Sequence, residues 1–563
     1  MRKVIIAISG CIVMLLLGYT GYRGYKVWKQ NHLVAMAKTF AARFDARNEL
    51  LCLQQALQVN PRNLEACRLM AGLTEAGRSG SALVWRERVV ELNPRSLEDR
   101  LALVNTALAF RDYASASNAL AGADEPDRQT STYQNIAGVV AIALGQMPEA
   151  EKHFGEAVRL DPLNPSPALN LAVLRLRGSN ALDLAAARAD MKQISATATN
   201  FSLRAQATRE LIVDAMRFKD YAGALTLSRE LASPTNAIFS DKIARLTVLK
   251  VAQSPELEAA IGQYQREAAA DPAKLDELTP WLAAQISPAS ALAWLRSLPV
   301  QTQTNQPAAL LIAECQVDLQ DWAGLQGSLT KQNWAEQDFY RHAFLARALR
   351  AKNLGGASTG EWELALKSAN EQKYISTNKG ALRALYNLAA AWKWRDEAEE
   401  TLWAVVNRYP EESSAAITLQ DALVEAGRTR PLMQLLSIQT KRFPANLGLK
   451  NDLALVAMLL GSQEIDPYRM AREVYEKAPQ NPYYASTHAF ALYLQKQYAD
   501  ALKVMQQINL AQLNDAQIAG YYGLILKATG NGPLAKTYLA MPFSKKAKLL
   551  PEEQKMFQQA MAN

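Results

Sequence analysis

Histidine and cysteine are scarce in this chain, four of each among 563 residues. His32, His153, His342 and His488 stand far apart, and none has a second histidine or a cysteine at metal-ligand spacing, so no metal site is expected. Beyond Cys11, only Cys52, Cys67 and Cys315 remain, too few for a disulfide framework. Alternating Val/Ile/Thr-rich runs, the mark of strands, are also few, whereas Ala, Leu, Gln, Glu, Lys and Arg dominate. That balance points to an all-α chain. No Gly-x-Ser-x-Gly elbow, dinucleotide fingerprint or kinase signature set occurs, and acidic residues lie scattered without an obvious catalytic pair.

Two segments approach a phosphate loop and miss. Gly530–Thr537 has the spacing, but Ala535 stands where a second glycine must let backbone amides face the phosphate. Gly355–Gly360 has the glycine interval, but Glu361 follows and would repel an anion. Neither follows a strand, so both read as turns, and 354–360 reads as a loop. The expectation is that the chain is not an enzyme and uses no cofactor, metal or small-molecule substrate.

Long apolar runs are limited to one. Val4 to Tyr22 is uncharged over 19 residues, close to the ~20 that cross a bilayer as a helix. Its exit, Gly18-Tyr19-Thr20-Gly21-Tyr22-Arg23, lacks the Ala-x-Ala of a cleaved leader, so a retained anchor is expected. Ile8-Ser9-Gly10-Cys11 is similar to a lipoprotein processing box, but the apolar run continues past Cys11. Basic residues flank both ends, which leaves the side of the membrane open. The net charge of +8 is concentrated there: residues 1–50 hold eight basic groups against Asp45 and Glu49, so the remaining 513 residues carry only +2. A nearly balanced body with a basic juxtamembrane flank argues against nucleic-acid binding.

What the chain has in abundance is repetition. Arg111-Asp112-Tyr113-Ala114, Lys219-Asp220-Tyr221-Ala222, Gln320-Asp321-Trp322-Ala323 and Lys496-Gln497-Tyr498-Ala499 share one pattern, that of a tight turn between antiparallel helices. Ala82, Ala116 and Ala150 recur at intervals of 34, as do Ala398 and Leu432, Ala501 and Ala535, and Pro410 and Pro444. The best copy is 131–164. There Gly138 and Ala150 are small where two helices cross, Phe154 and Ala157 complete the inward face, and Pro162 stops the helix.

A 34-residue period with small residues and a helix-ending proline resembles the tetratricopeptide family over about 46–165 and 380–542. The resemblance implies an α-α superhelix, a solenoid of antiparallel hairpins whose first helices line a groove for peptides or partner helices. One branch of that family grips a carboxylate-ended peptide with a basic residue and an asparagine one turn apart, plus an asparagine in the next repeat. Arg383 and Asn387 fit the first part, but Ile417 and Thr418 stand where the second asparagine belongs. Asn135, in the first helix of the best copy, is a third candidate partner-binding residue.

The middle breaks the period, with prolines at 255, 272, 280, 288, 299 and 307. Eight of the ten tryptophans lie between Trp281 and Trp403, a cluster that suits either a binding floor or a core. Trp322 takes the turn slot of Tyr113, Tyr221 and Tyr498, which favours packing. The division read from the sequence is a 1–30 anchor and basic flank, a 31–239 repeat block, 240–379 degenerate hairpins, a 380–542 repeat block and a 543–563 polar cap. The expected function is a membrane-anchored scaffold for other proteins, and the alternative is a soluble or secreted accessory subunit of an enzyme or export complex with a cleaved leader.

Overall fold

A computed structural model describes residues 23–178, 180–372, 375–409 and 412–562. The expected anchor, Val4–Tyr22, and Pro410 lie outside them. Among the described residues no helix is long and apolar enough to cross a membrane. Every regular element among them is helical, with one 3-10 turn at Ala335–Gln337 among α-helices. Contacts divide the chain into two compact units, Met1–Arg266 and Glu267–Asn563, and within each consecutive helices pack as hairpins.

The four recurrent segments show how a hairpin turn is made. Arg111, Lys219, Gln320 and Lys496 all take the left-handed conformation, with φ of 59°, 61°, 55° and 62°. That bends the chain so that the next amide bonds back five residues: Asp112 N to Ala107 O, Asp220 N to Ala215 O, Asp321 N to Gln316 O and Gln497 N to Leu492 O, all at 2.8–2.9 Å. The aspartates then act a second time. Asp112, Asp220 and Asp321 accept from the amides of Ser115, Gly223 and Gly324, capping the helix that follows. One residue thus ends one helix and begins the next, which fixes the turn at minimal length.

The best sequence copy packs as read. Its helices are Ser131–Ala143 and Met147–Leu160, and Ala150, Phe154 and Ala157 are fully buried between them and the next hairpin. A Cβ on Gly138 would lie 2.5 Å from the Phe154 ring, so only glycine admits this crossing.

The tryptophan cluster is core. Trp362, Trp394 and Trp334 are buried, and Trp362 and Trp392 both meet Trp394 edge-on, at 5.9 and 5.0 Å between ring centres. Arg350 lies over Trp394 with Cζ 3.7 Å from its centre and pairs with Glu397.

The 354–360 loop read from the sequence is wrong. Helix Gly355–Asn370 begins right after a left-handed Asn353, and Ser358 is buried with its hydroxyl donating to Ala346 O at 2.9 Å. Tertiary anchoring of Ser358 and Trp362 overrides the weak helix propensity of three glycines. The middle prolines open helices more than they break them: Pro272 and Pro288 occupy first-turn positions, and only Pro280 lies inside a helix. The terminal segment carries a fully buried Phe557 on helix Pro551–Ala562, packed against Gly520.

Candidate functional site

Within each unit first helices also meet across hairpins, as Ser131–Ala143 meets Pro165–Leu176 and Leu447–Leu460 meets Pro482–Leu494. Polar side chains join first helices in the same way. In the first unit, Arg68 on Leu64–Ala76 donates Nε to Oδ1 of Asp99 on Leu97–Ala109 at 2.8 Å, and Nη2 to Oδ2 at 2.5 Å. Arg209 on Phe201–Arg217 grips Asp241 on Phe239–Val251 in the same fork, at 2.7 and 2.9 Å. Asn170 on Pro165–Leu176 donates to Asn135 on Ser131–Ala143 at 2.9 Å. The partners are 31, 32 and 35 residues apart, one repeat each.

These pairs are half-sunk into the protein. Asp99 and Asp241 expose 5% and 3% of their side chains, while their arginines remain more open. Burial alone would raise the Asp99 carboxyl, but donation from Arg68 and Asn93 outweighs it and holds the group below its ordinary value. A two-oxygen, two-nitrogen fork also fixes orientation, which a single contact would not. The ladder therefore sets the register between neighbouring first helices.

The sequence candidates separate accordingly. Asn135 belongs to the first unit, and its amide oxygen is engaged by Asn170. Arg383 and Asn387 belong to the second unit, on helix Ile375–Ala391, and both are exposed on one face. One repeat on, Ile417 is exposed and Thr418 donates to Ser414 O in its own helix, so the position holds no second amide. The ladder arginines and aspartates were not singled out from the sequence, although opposite charges 31–32 residues apart in a 34-residue period were there to find.

Three of the histidines and Cys315 are held in contacts within the fold. His153 shares a 2.7 Å contact with Gln134, and burial lowers its affinity for a proton. His488 stacks on Tyr475, and burial lowers it likewise. His342 sits between Asp338 and Glu361. Burial, helped by nearby Asp318 and Glu314, pushes the Cys315 thiol up to about 12, far from a reactive thiolate. Ala535, in the phosphate-loop lookalike, is a buried packing residue of helix Gly532–Ser544. Among the described residues no group of three or more His, Cys, Asp or Glu could hold a metal ion.

No protein-family model and no curated protein matches the sequence. Among solved structures, Pseudomonas aeruginosa PilF aligns at 17% identity and a TM-score of 0.31, covering 39% of this chain and 99% of its own. Naa15 in its complex with Naa10 and HypK aligns at 13% and 0.28, covering 95% and 78%. The Cut9–Hcn1 assembly of the APC/C aligns at 12% and 0.28, covering 94% and 96%. Likenesses of this size carry no argument about this chain, and its hairpin architecture rests on the turns, packing and ladder described above.

Proposed function

We propose that this chain is a non-catalytic scaffold that binds other proteins or peptides through the exposed faces of its first helices. The observation that supports this reading is the division of polar groups along those helices. Buried pairs such as Arg68–Asp99 and Arg209–Asp241 consume side chains in holding hairpins in register, whereas Arg383 and Asn387 stay exposed one turn apart. A run of hairpins that spends inner charges on itself and offers outer ones suits multipoint recognition of an extended partner. The proposal also includes a membrane tether at Val4–Tyr22, which has the length and lack of charge of a spanning helix.

A photo-crosslinking amino acid in place of Asn387 should capture a native partner, and the same group in place of Lys503, exposed on the second helix Tyr498–Gln506, should not. Capture from position 503 alone would overturn the first-helix reading. Deleting residues 4–22 should move the protein out of the membrane fraction, and retention there would refute the tether.

A further inference from the structure

The second unit contains a cavity of about 460 Å³ whose walls come from helices Ser413–Glu425, Thr429–Arg442, Leu447–Leu460, Pro482–Leu494, Ala516–Ala528 and Pro551–Ala562. Its lining divides in two. Leu436, Leu455 and Val456 supply apolar wall, while Asp452, Asn451 and Glu553 supply oxygen acceptors. The charged residues in the described lining are the two carboxylates, and it contains no lysine, arginine or histidine.

The acceptors are not equally occupied. Glu553 is taken on both oxygens, by the Tyr521 hydroxyl and by the Leu550 amide. Asp452 accepts from Asn451 Nδ2 at 3.3 Å and from Gln420. Asn451 is 95% buried by its 5% exposure, and its Oδ1 is enclosed with no hydrogen-bond partner. A buried carbonyl oxygen without a donor costs about 1–3 kcal/mol, and beside it the half-buried Asp452 carboxylate adds negative charge with no cation among the lining residues. Burial also pushes the Asp452 and Glu553 carboxyls up, outweighing the hydrogen bonds each accepts.

We propose that this cavity binds a primary alkylammonium group, its cation on the Asp452 carboxylate and its alkyl chain against Leu436, Leu455 and Val456. A compact ammonium suits the site better than a guanidinium. The planar fork needs two free oxygens of one carboxylate, whereas Glu553 has none and Asp452 already receives two donors. The mixed lining, apolar walls with a few convergent polar groups, is that of a pocket for a small organic ligand or a single side chain. Its ligand could be a free amine or a lysine side chain of a bound protein, and both present the same chemistry.

Calorimetry on the full chain with two probes separates these sources: 1,5-diaminopentane, and the peptide acetyl-Ala-Lys-Ala-amide. Either or both should bind with one-to-one stoichiometry, and the same probes acetylated on nitrogen should not. Binding of the diamine alone identifies a free-amine site, and binding of the peptide alone identifies a side-chain site. Asp452→Asn, which keeps the shape and removes the charge, should weaken binding about tenfold or more. Should that variant fail to fold, the comparison of free and acetylated probes on the wild-type chain, with hydrogen-exchange protection read over 447–460 and 551–562, still decides. Failure of both amines to bind, equal binding of the acetylated probes, or full affinity in a folded Asp452→Asn chain would overturn the proposal. None of these results touches capture from position 387, so the scaffold reading stands or falls separately.

Discussion

Replacing Gly138 by alanine tests the packing logic of the repeat at its most constrained point. The new methyl carbon would lie 2.5, 2.6 and 2.8 Å from three ring carbons of Phe154, where ordinary carbon contacts sit at about 3.5–4.0 Å. The ring would have to withdraw by about 1 Å. It has little room, being fully buried against Ala141, Ala150 and Leu171. Overpacking of this kind costs about 1–3 kcal/mol, against a gain of about 1 kcal/mol in helix propensity for Gly→Ala. A net loss of about 0–2 kcal/mol is expected.

Gly155, on the partner helix, is the control. A Cβ there meets nothing within 4 Å, so Gly155→Ala should gain about 0.5–1 kcal/mol. Repeat arrays unfold in stages, so native-state hydrogen exchange over 131–160 is the suitable assay, and it should move in opposite directions for the two variants. In a Phe154→Leu background, with the ring gone, the Gly138→Ala penalty should vanish. If both alanines shift protection equally, or if the penalty survives the loss of the ring, the crossing is not what glycine is there for.

Three further outcomes follow from other contacts. Asp99 is held below its ordinary value, so its stabilisation is complete above that value and is lost as pH falls through the depressed one. Acidification should loosen 64–109 in the wild type and do so less steeply in Asp99→Asn, and identical profiles would rule the pair out as a source of stability. Asp452 and Glu553 have the opposite sign: the folded state holds their protons more tightly, so stability declines as pH rises from the ordinary value to the raised one. Asp452→Asn should flatten that decline, and an unchanged slope would remove Asp452 as its cause. Asp321→Ala should cost about 1 kcal/mol through loss of its cap to Gly324 N, whereas Gln497→Ala, which loses no cap bond, should cost much less. Equal losses, read by hydrogen exchange across each turn, would contradict the dual role assigned to the aspartates.

Local rules made the regular hairpins legible. The turn segments revealed themselves because in three of the four one aspartate both closes a helix and caps another, and the 131–164 copy because a crossing demands small residues opposite a large one. The segment 354–360 misled because its glycines speak of backbone freedom, while the decisive contacts, Ser358 to Ala346 O and the burial of Trp362, are tertiary. The composition of 543–563, rich in lysine and glutamine, concealed Phe557 in the same way, since its seat is provided by Gly520, 37 residues earlier. At the candidate surface, Arg383 and Asn387 could be placed on one helix face from spacing alone. The engagement of Asn135 by Asn170 could not, because it depends on how two hairpins stack. The cavity beside Asn451 was invisible for a related reason: six helices, spread over some 150 residues, build it together.

The last helix gives the second unit a different mechanical character from an open row of hairpins. Glu552 accepts from the Thr429 hydroxyl at 2.6 Å across 123 residues, and Pro551 rests against Gly427. A row whose members touch only their neighbours unravels from its free end, losing one hairpin at a time. Here helix Pro551–Ala562 is clasped to a hairpin far upstream, so the stretch between them is a closed loop of contacts. A pull on this helix loads that clasp as well as the hairpin next to it. One short helix thereby ties two hairpins that a row of neighbours would leave independent.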